Sequence, residues 1–140
     1  MDGYPWHLRL ALLSALLLLG VGVAAYWRFS APESARSPAP ADLFMQSVAD
    51  EDGGLGWDQL CPEVRVQVPR EALEQQTLTQ RAIHVNEGVT LTVDHVRDQP
   101  RPGGGQTRVY AATAHGTDGS TGQKTYVVNT QSSGCVESVE

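Results

Sequence analysis

The sequence predicts an α+β domain behind a single transmembrane helix. Three features of the 140-residue chain support this: an uncharged apolar run near the N-terminus, helix-favouring segments after it, and stretches rich in Val, Thr and Tyr in the second half. Strands joined by short turns pair as antiparallel neighbours, so the preceding helices must cover one face of their sheet. We therefore expect short helices packed on a curved antiparallel sheet of about four strands.

The apolar run begins after a flank of residues 1–9 and reads "LALLSALLLLGVGVAAY". It predicts a transmembrane helix over residues 10–27, because about 20 apolar residues cross a bilayer and Trp6, Tyr26 and Trp27 suit its two interfaces. A cleaved signal peptide is the alternative, since small residues end the run. In both interpretations the rest of the chain is exported. The first interpretation also predicts a single-pass protein of the cell membrane whose C-terminal domain is extracytoplasmic.

Residues 28–40 are rich in Pro, Ala and Ser and predict an extended tether, followed by a domain over residues 41–140. From Asp42 to Glu140 the chain has fourteen acidic and seven basic residues. No basic stripe is available to neutralise phosphates, so we do not expect a nucleic-acid partner.

The two cysteines, Cys61 and Cys135, favour a structural disulfide. An exported domain lies in an oxidising compartment, and two lone cysteines fit one intramolecular bridge. A redox C-x-x-C site and a four-ligand zinc site both need neighbours that are missing, and two free buried thiols are the remaining alternative. Closing so long a loop stabilises a fold by about 4 kcal/mol in the chain-entropy model.

The first half of the domain has helical spacing. Asp42 is the expected N-cap of a helix that ends at Gly53 and Gly54, whose freedom to adopt positive φ suits a helix exit. In "GWDQLCPEV", Trp57 shares one face of a short helical turn with Leu60, where it can fill the core and shield the bridge. "VRVQV" alternates like a strand, yet the prolines around it favour short helices, including one at "PREALEQQ".

The second half has the patterns of β-strands. The predicted strands are "GVTLTVDHV", "TRVYAATAH", "KTYVVNTQ" and "GCVESVE", separated by segments of turn-forming residues. The glycine-rich segment "PRPGGGQTR" leads into a strand and not into a helix, so it predicts a hairpin loop and not a phosphate-binding loop.

This order of elements, with the W-x-x-L-C-P block at Trp57 to Pro62, resembles the NTF2-like, cystatin-like cone over about Ala39 to Glu140. The likeness is to its small membrane-anchored bacterial members. The family includes enzymes of the ketosteroid-isomerase and polyketide-cyclase kinds and many non-catalytic accessory or ligand-binding domains. No catalytic Asp or Tyr of those enzymes can be matched to this sequence.

Among the histidines, His95 is the candidate for chemistry. In an extended strand it continues the apolar face of Leu91 and Val93, while Asp94 points to the other face, so Asp94 and His95 form no dyad. At a pocket mouth His95 could act as a general base, and at the sheet rim it would be structural. His84 and His115 are also expected near strand positions, at spacings that predict no metal site, and no cofactor is expected.

The sequence thus favours a non-catalytic domain that binds a protein partner or a small ligand through the concave face of its sheet. The first alternative is a small isomerase, cyclase or hydrolase that uses His95 as its base. The second is a subunit of an envelope complex, held in place by the membrane helix.

Overall fold

A computed structural model describes residues 37–140 of the chain. The predicted transmembrane helix at residues 10–27, its flank and most of the tether lie outside the described residues. No helix in the described part of the chain has the length and apolar character needed to cross a membrane.

Four helices occupy the first half of the described chain, as the sequence predicts. They are α1 (Pro40–Asp50), α2 (Gly53–Asp58), α3 (Pro62–Gln67) and α4 (Arg70–Glu87). The ambiguous "VRVQV" segment is helical, because Pro62 occupies the first turn of α3 and its fixed φ suits that position. The helix expected at "PREALEQQ" is much longer and ends only at Gly88, which caps α4 with a φ of 68°.

The expected start of the first helix is wrong by three residues. Ala39 is the N-cap of α1, and Pro40 occupies its first turn. Asp42 therefore lies inside the helix, where its carboxylate suits the positive end of the helix dipole and points towards the sheet side chains described below.

The role predicted for Gly53 and Gly54 is also wrong. The left-handed residue that ends α1 is Glu51, with a φ of 53°, and the two glycines begin α2 behind the N-cap Asp52. They permit close packing instead. A Cβ atom at Gly53 would lie 2.6 Å from the carbonyl oxygen of Leu73, so α2 and α4 meet at a distance that only glycine allows.

The second half forms one antiparallel sheet in the order β1-β2-β3-β4, which confirms the predicted meander. Its strands are β1 (Thr90–Pro100), β2 (Gln106–His115), β3 (Thr121–Thr130) and β4 (Val136–Val139). The pairing of β1 with β2 shifts between His95 and Arg97, where Val96 is the extra residue of a β-bulge. The glycine-rich segment is the hairpin loop between these strands.

The core lies between α1 and one face of the sheet. Its buried members are Ala41, Met45, Leu60, Tyr110, Val128 and Val136. Trp57 packs against this cluster and donates its indole N–H to the carbonyl oxygen of Val68 at 2.8 Å. The guanidinium groups of Arg65 and Arg70 lie over its ring, at 4.8 and 5.5 Å from the centroid.

The sheet is joined to the helices at β4. Cys61 and Cys135 form the predicted disulfide, with their Cα atoms 4.9 Å apart. Next to it the amide of Cys61 donates to the carbonyl of Val136 at 2.8 Å, and the amide of Val136 donates to the carbonyl of Gln59 at 2.9 Å. The last strand is thus fixed to the α2–α3 junction by one covalent bond and two hydrogen bonds.

We predict that Gly53→Ala destabilises the protein by about 1–2 kcal/mol, because the added methyl group overpacks the contact with α4 more than it improves helix propensity. Gly122→Ala is the matched control, since a Cβ there meets no atom within 4 Å. Urea unfolding followed by circular dichroism measures both. Equal midpoints for the two variants would contradict the close-packing role of Gly53.

Candidate functional site

The helix-bearing face of the sheet has a covered half and an open half. Strand pairing sets Leu91 opposite Ala114 and Val93 opposite Ala112, and β3 adds Gly122 and Lys124 beside these alanines. Side chains two residues apart share a face, so all of them lie on the side that carries Tyr110 and Val128. The Tyr110 half packs into the core under α1, and the alanine half faces α4 across a gap.

This gap is a cleft of about 410 Å³. The sheet supplies a floor of small and apolar side chains, and α4 with the end of α1 supplies a more polar wall. The lining residues are Val48, Glu51, Leu73, Gln76, Thr77, Gln80, His84, Leu91, Ala112, Ala114, Gly122, Gln123, Lys124 and Tyr126. A concave, largely apolar site with a few polar groups is typical of small-ligand binding.

A contact between the side chains of Glu51 and His84 closes one wall of the cleft. His84 Nδ1 contacts Glu51 Oε1, and both side chains are mostly buried. No residue of α4 is fully buried, so this pair is one of the few contacts that hold the C-terminal part of the helix against the domain. The expectation that His84 lies near a strand is wrong, because α4 continues for eleven residues beyond Gln76.

Lys124 is the other charged side chain of the cleft. Its ammonium group lies 4.7 Å from the centroid of the Tyr126 ring, and it forms no salt bridge with the residues described. Glu51 and His84 satisfy each other, so Lys124 gives the cleft one cationic group without a carboxylate partner. An ammonium group without a carboxylate partner favours an anionic ligand.

His95 does not line this cleft. It shares the face of Leu91 and Val93 but lies further along β1, where its Nε2 is 2.7 Å from Asp98 Oδ1 and its ring centroid is 5.2 Å from that of Tyr110. The side chain is 38% exposed. Its position is therefore the rim of the sheet, beside the core and away from this cleft.

His95 belongs to a polar network that the sequence did not reveal. Asp98 also accepts from Arg108 Nε at 2.8 Å, Arg108 Nη1 lies 3.0 Å from Asp42 Oδ1, and the Tyr110 hydroxyl donates to that same oxygen at 2.7 Å. Asp42 and Tyr110 are 68 residues apart, so no local pattern connects them. The network ties the first turn of α1 to β1 and β2.

The pKa values of Tyr110 and Asp98 are both shifted in this network. Burial, together with the hydrogen bond to Asp42, raises the pKa of the Tyr110 hydroxyl. Partial burial by itself would raise the pKa of Asp98, but the hydrogen bonds and charges of Arg108 and His95 outweigh it and bring the Asp98 pKa below its usual value. Tyr110 is thus a neutral donor, and Asp98 is an ionised acceptor over a wide pH range.

The three histidines of the domain lie apart. His84 is on α4, His95 is at the rim of β1, and His115 Nε2 lies 3.0 Å from the Thr92 hydroxyl at the other end of the sheet. Within residues 37–140 no three His, Cys, Asp or Glu side chains come together as metal ligands.

No protein-family model matches this chain, and no curated protein is a significant match to it. The likeness to the NTF2-like cone therefore stays a prediction, whereas the α+β architecture is a property of the structure.

The lowered Asp98 pKa predicts a loss of stability in acid. Ionised Asp98 stabilises the fold above its unfolded pKa of about 3.9, and this contribution disappears as the pH falls through the lower folded value. The difference in unfolding free energy between wild type and Asp98→Asn should therefore shrink from about pH 5 to about pH 2. Urea unfolding across this range measures the difference.

Asp94→Asn is the control, because Asp94 is exposed on the opposite face of β1 and forms no salt bridge with the described residues. This substitution breaks no salt bridge with the described residues, so it should change the acid dependence less than Asp98→Asn does. The same acid dependence for both variants would contradict the special role of Asp98.

Proposed function

We propose that this chain is a membrane-anchored, extracytoplasmic domain of the NTF2-like kind that binds a small ligand without transforming it. The cleft between α4 and the sheet carries the proposal, since it combines an apolar floor with a single unpaired cation. The apolar run at residues 10–27 and the Cys61–Cys135 disulfide both suit an exported, anchored protein.

The chemistry of the lining favours a small amphipathic anion. Leu91, Ala112 and Ala114 offer an apolar surface to a hydrocarbon or aromatic part, and Lys124 offers its ammonium group to a carboxylate. Gln76, Gln80 and Gln123 add polar groups around the opening. The Glu51 carboxylate contacts His84 Nδ1 and is mostly buried, so it is already engaged within the wall of the cleft.

One observation favours the enzymatic alternative and changes its candidate residue. The histidine in the cleft is His84, not His95, and its Nδ1 is oriented by a carboxylate in the way that a general base is oriented. The hydrolase form of this alternative has little support from two possible nucleophiles, because the Thr77 hydroxyl is bonded to backbone carbonyls of its own helix and both cysteines are in the disulfide. A binding role therefore remains the proposal.

Hexanoate is a suitable probe, because it is water-soluble and combines a carboxylate with a short apolar chain. The full chain in a neutral detergent should show saturable shifts of the Ala112, Ala114 and Lys124 amide resonances in NMR titrations. Lys124→Gln should weaken binding by about fivefold, the value of one exposed ionic contact. Hexanamide should bind the wild type and this variant equally.

Two substitutions on β2 provide the matched control. Ala114→Phe fills the cleft and should abolish the shifts, whereas Thr113→Phe adds the same bulk on the opposite face and should leave binding unchanged. Equal effects of the two variants, or shifts that never saturate, would contradict the proposed site.

A further inference from the structure

Helix α4 carries a second surface, on the side away from the cleft. Gln75, Leu78, Ala82 and Val85 recur at spacings of three and four residues and form one stripe, the outer stripe of α4. Leu78 is 58% exposed and Val85 is 74% exposed, and no charge interrupts the stripe between Gln75 and Val85. This spacing is typical of the contact surface of a helix that packs against another helix.

The exposure of the stripe is unusual for this domain. Five large hydrophobic side chains of the domain are exposed, and three of them lie on α4: Leu78, Ile83 and Val85. The helix is 18 residues long, about 27 Å, and no residue of it is buried. A helix of this length gains most of its stability from packing, so a partner on the outer stripe would supply what the domain does not.

Charges on one edge of the stripe specify the partner. Glu74 and Arg81 are seven residues apart and therefore lie on the same edge, two turns from each other. Arg70 binds Glu74 through Oε1, and Arg81 has no salt bridge with the described residues. When two copies of this edge lie side by side with opposite chain directions, each charge is next to a charge of opposite sign.

We propose that two copies of the chain associate through antiparallel packing of α4 about a two-fold axis near Leu78. In this arrangement Glu74 of each copy faces Arg81 of the other, and the contact occurs twice because the interface is isologous. The small side chain of Ala82 lets the helices approach to 8–10 Å. Parallel packing would set the charged edge against Thr79 and Asn86, so Arg81 would gain no carboxylate partner and Glu74 would keep only its pairing with Arg70.

The dimer does not depend on ligand binding. The residues of α4 that line the cleft, including Leu73, Thr77 and His84, are on the opposite side of the helix. Two copies joined at α4 would therefore keep both clefts open.

Sedimentation equilibrium of the full chain in a density-matched neutral detergent tests the proposal. Wild type should be a dimer, and Leu78→Arg should weaken association at least about a hundredfold, since it buries a charge at the axis. Val66→Arg is the control, because Val66 is an 86% exposed apolar residue on α3 and should leave the dimer intact. A monomeric wild type, or a dimer equally strong in Leu78→Arg, would overturn the proposal.

A charge exchange tests the antiparallel arrangement. Arg81→Glu should weaken the dimer by about tenfold through two like-charge contacts, and Glu74→Arg combined with Arg81→Glu should restore it to within about threefold of wild type. Cross-linking by mild oxidation is a second readout that leaves Glu74 and Arg81 unchanged: Leu78→Cys should form a covalent dimer, and Val66→Cys should not. The arrangement would be refuted if the Leu78→Cys variant failed to cross-link. It would also be refuted if the double variant kept its fold but dimerised as weakly as Arg81→Glu.

Discussion

The junction between Cys61 and β4 is the constraint on which the rest of the fold depends. β4 has only four residues and lies at the edge of the sheet, so its pairing with β3 provides few hydrogen bonds. The disulfide to Cys135 and the two backbone hydrogen bonds between Gln59, Cys61 and Val136 fix it to the helical half. The cysteines are 74 residues apart, so the bond closes α3, α4 and the first three strands into one loop.

The position of α4 follows from this junction. With α2 held against the core, Gly53 lets α4 approach closely at one end, and the Glu51–His84 pair holds it at the other. The helix is therefore fixed at two places without being buried along its length. Its inner side covers the cleft, and its outer stripe is exposed among the residues that the structure describes. One marginally packed helix therefore provides both proposed binding surfaces.

Periodicity and cysteine content predicted the fold well, because both are local or compositional signals. The strands, the turn residues and the pairing of Cys61 with Cys135 could be inferred in this way. The candidate site could not, because it is made of contacts between distant residues: His84 meets Glu51 across 33 positions, and Asp42 meets Tyr110 across 68. Gly53 shows the same limit, since a glycine needed for close packing has the same sequence pattern as one needed for positive φ.

The role of this junction is tested most directly by hydrogen exchange of the full chain. The comparison is between wild type and the double variant Cys61→Ala, Cys135→Ala. Loss of the bond should release the amides of Cys61 and Val136 and expose α3 and β4 to exchange, while the pairing between β2 and β3 stays protected. Unchanged protection of both amides in the double variant would contradict the account, because the junction would then hold without its covalent bond.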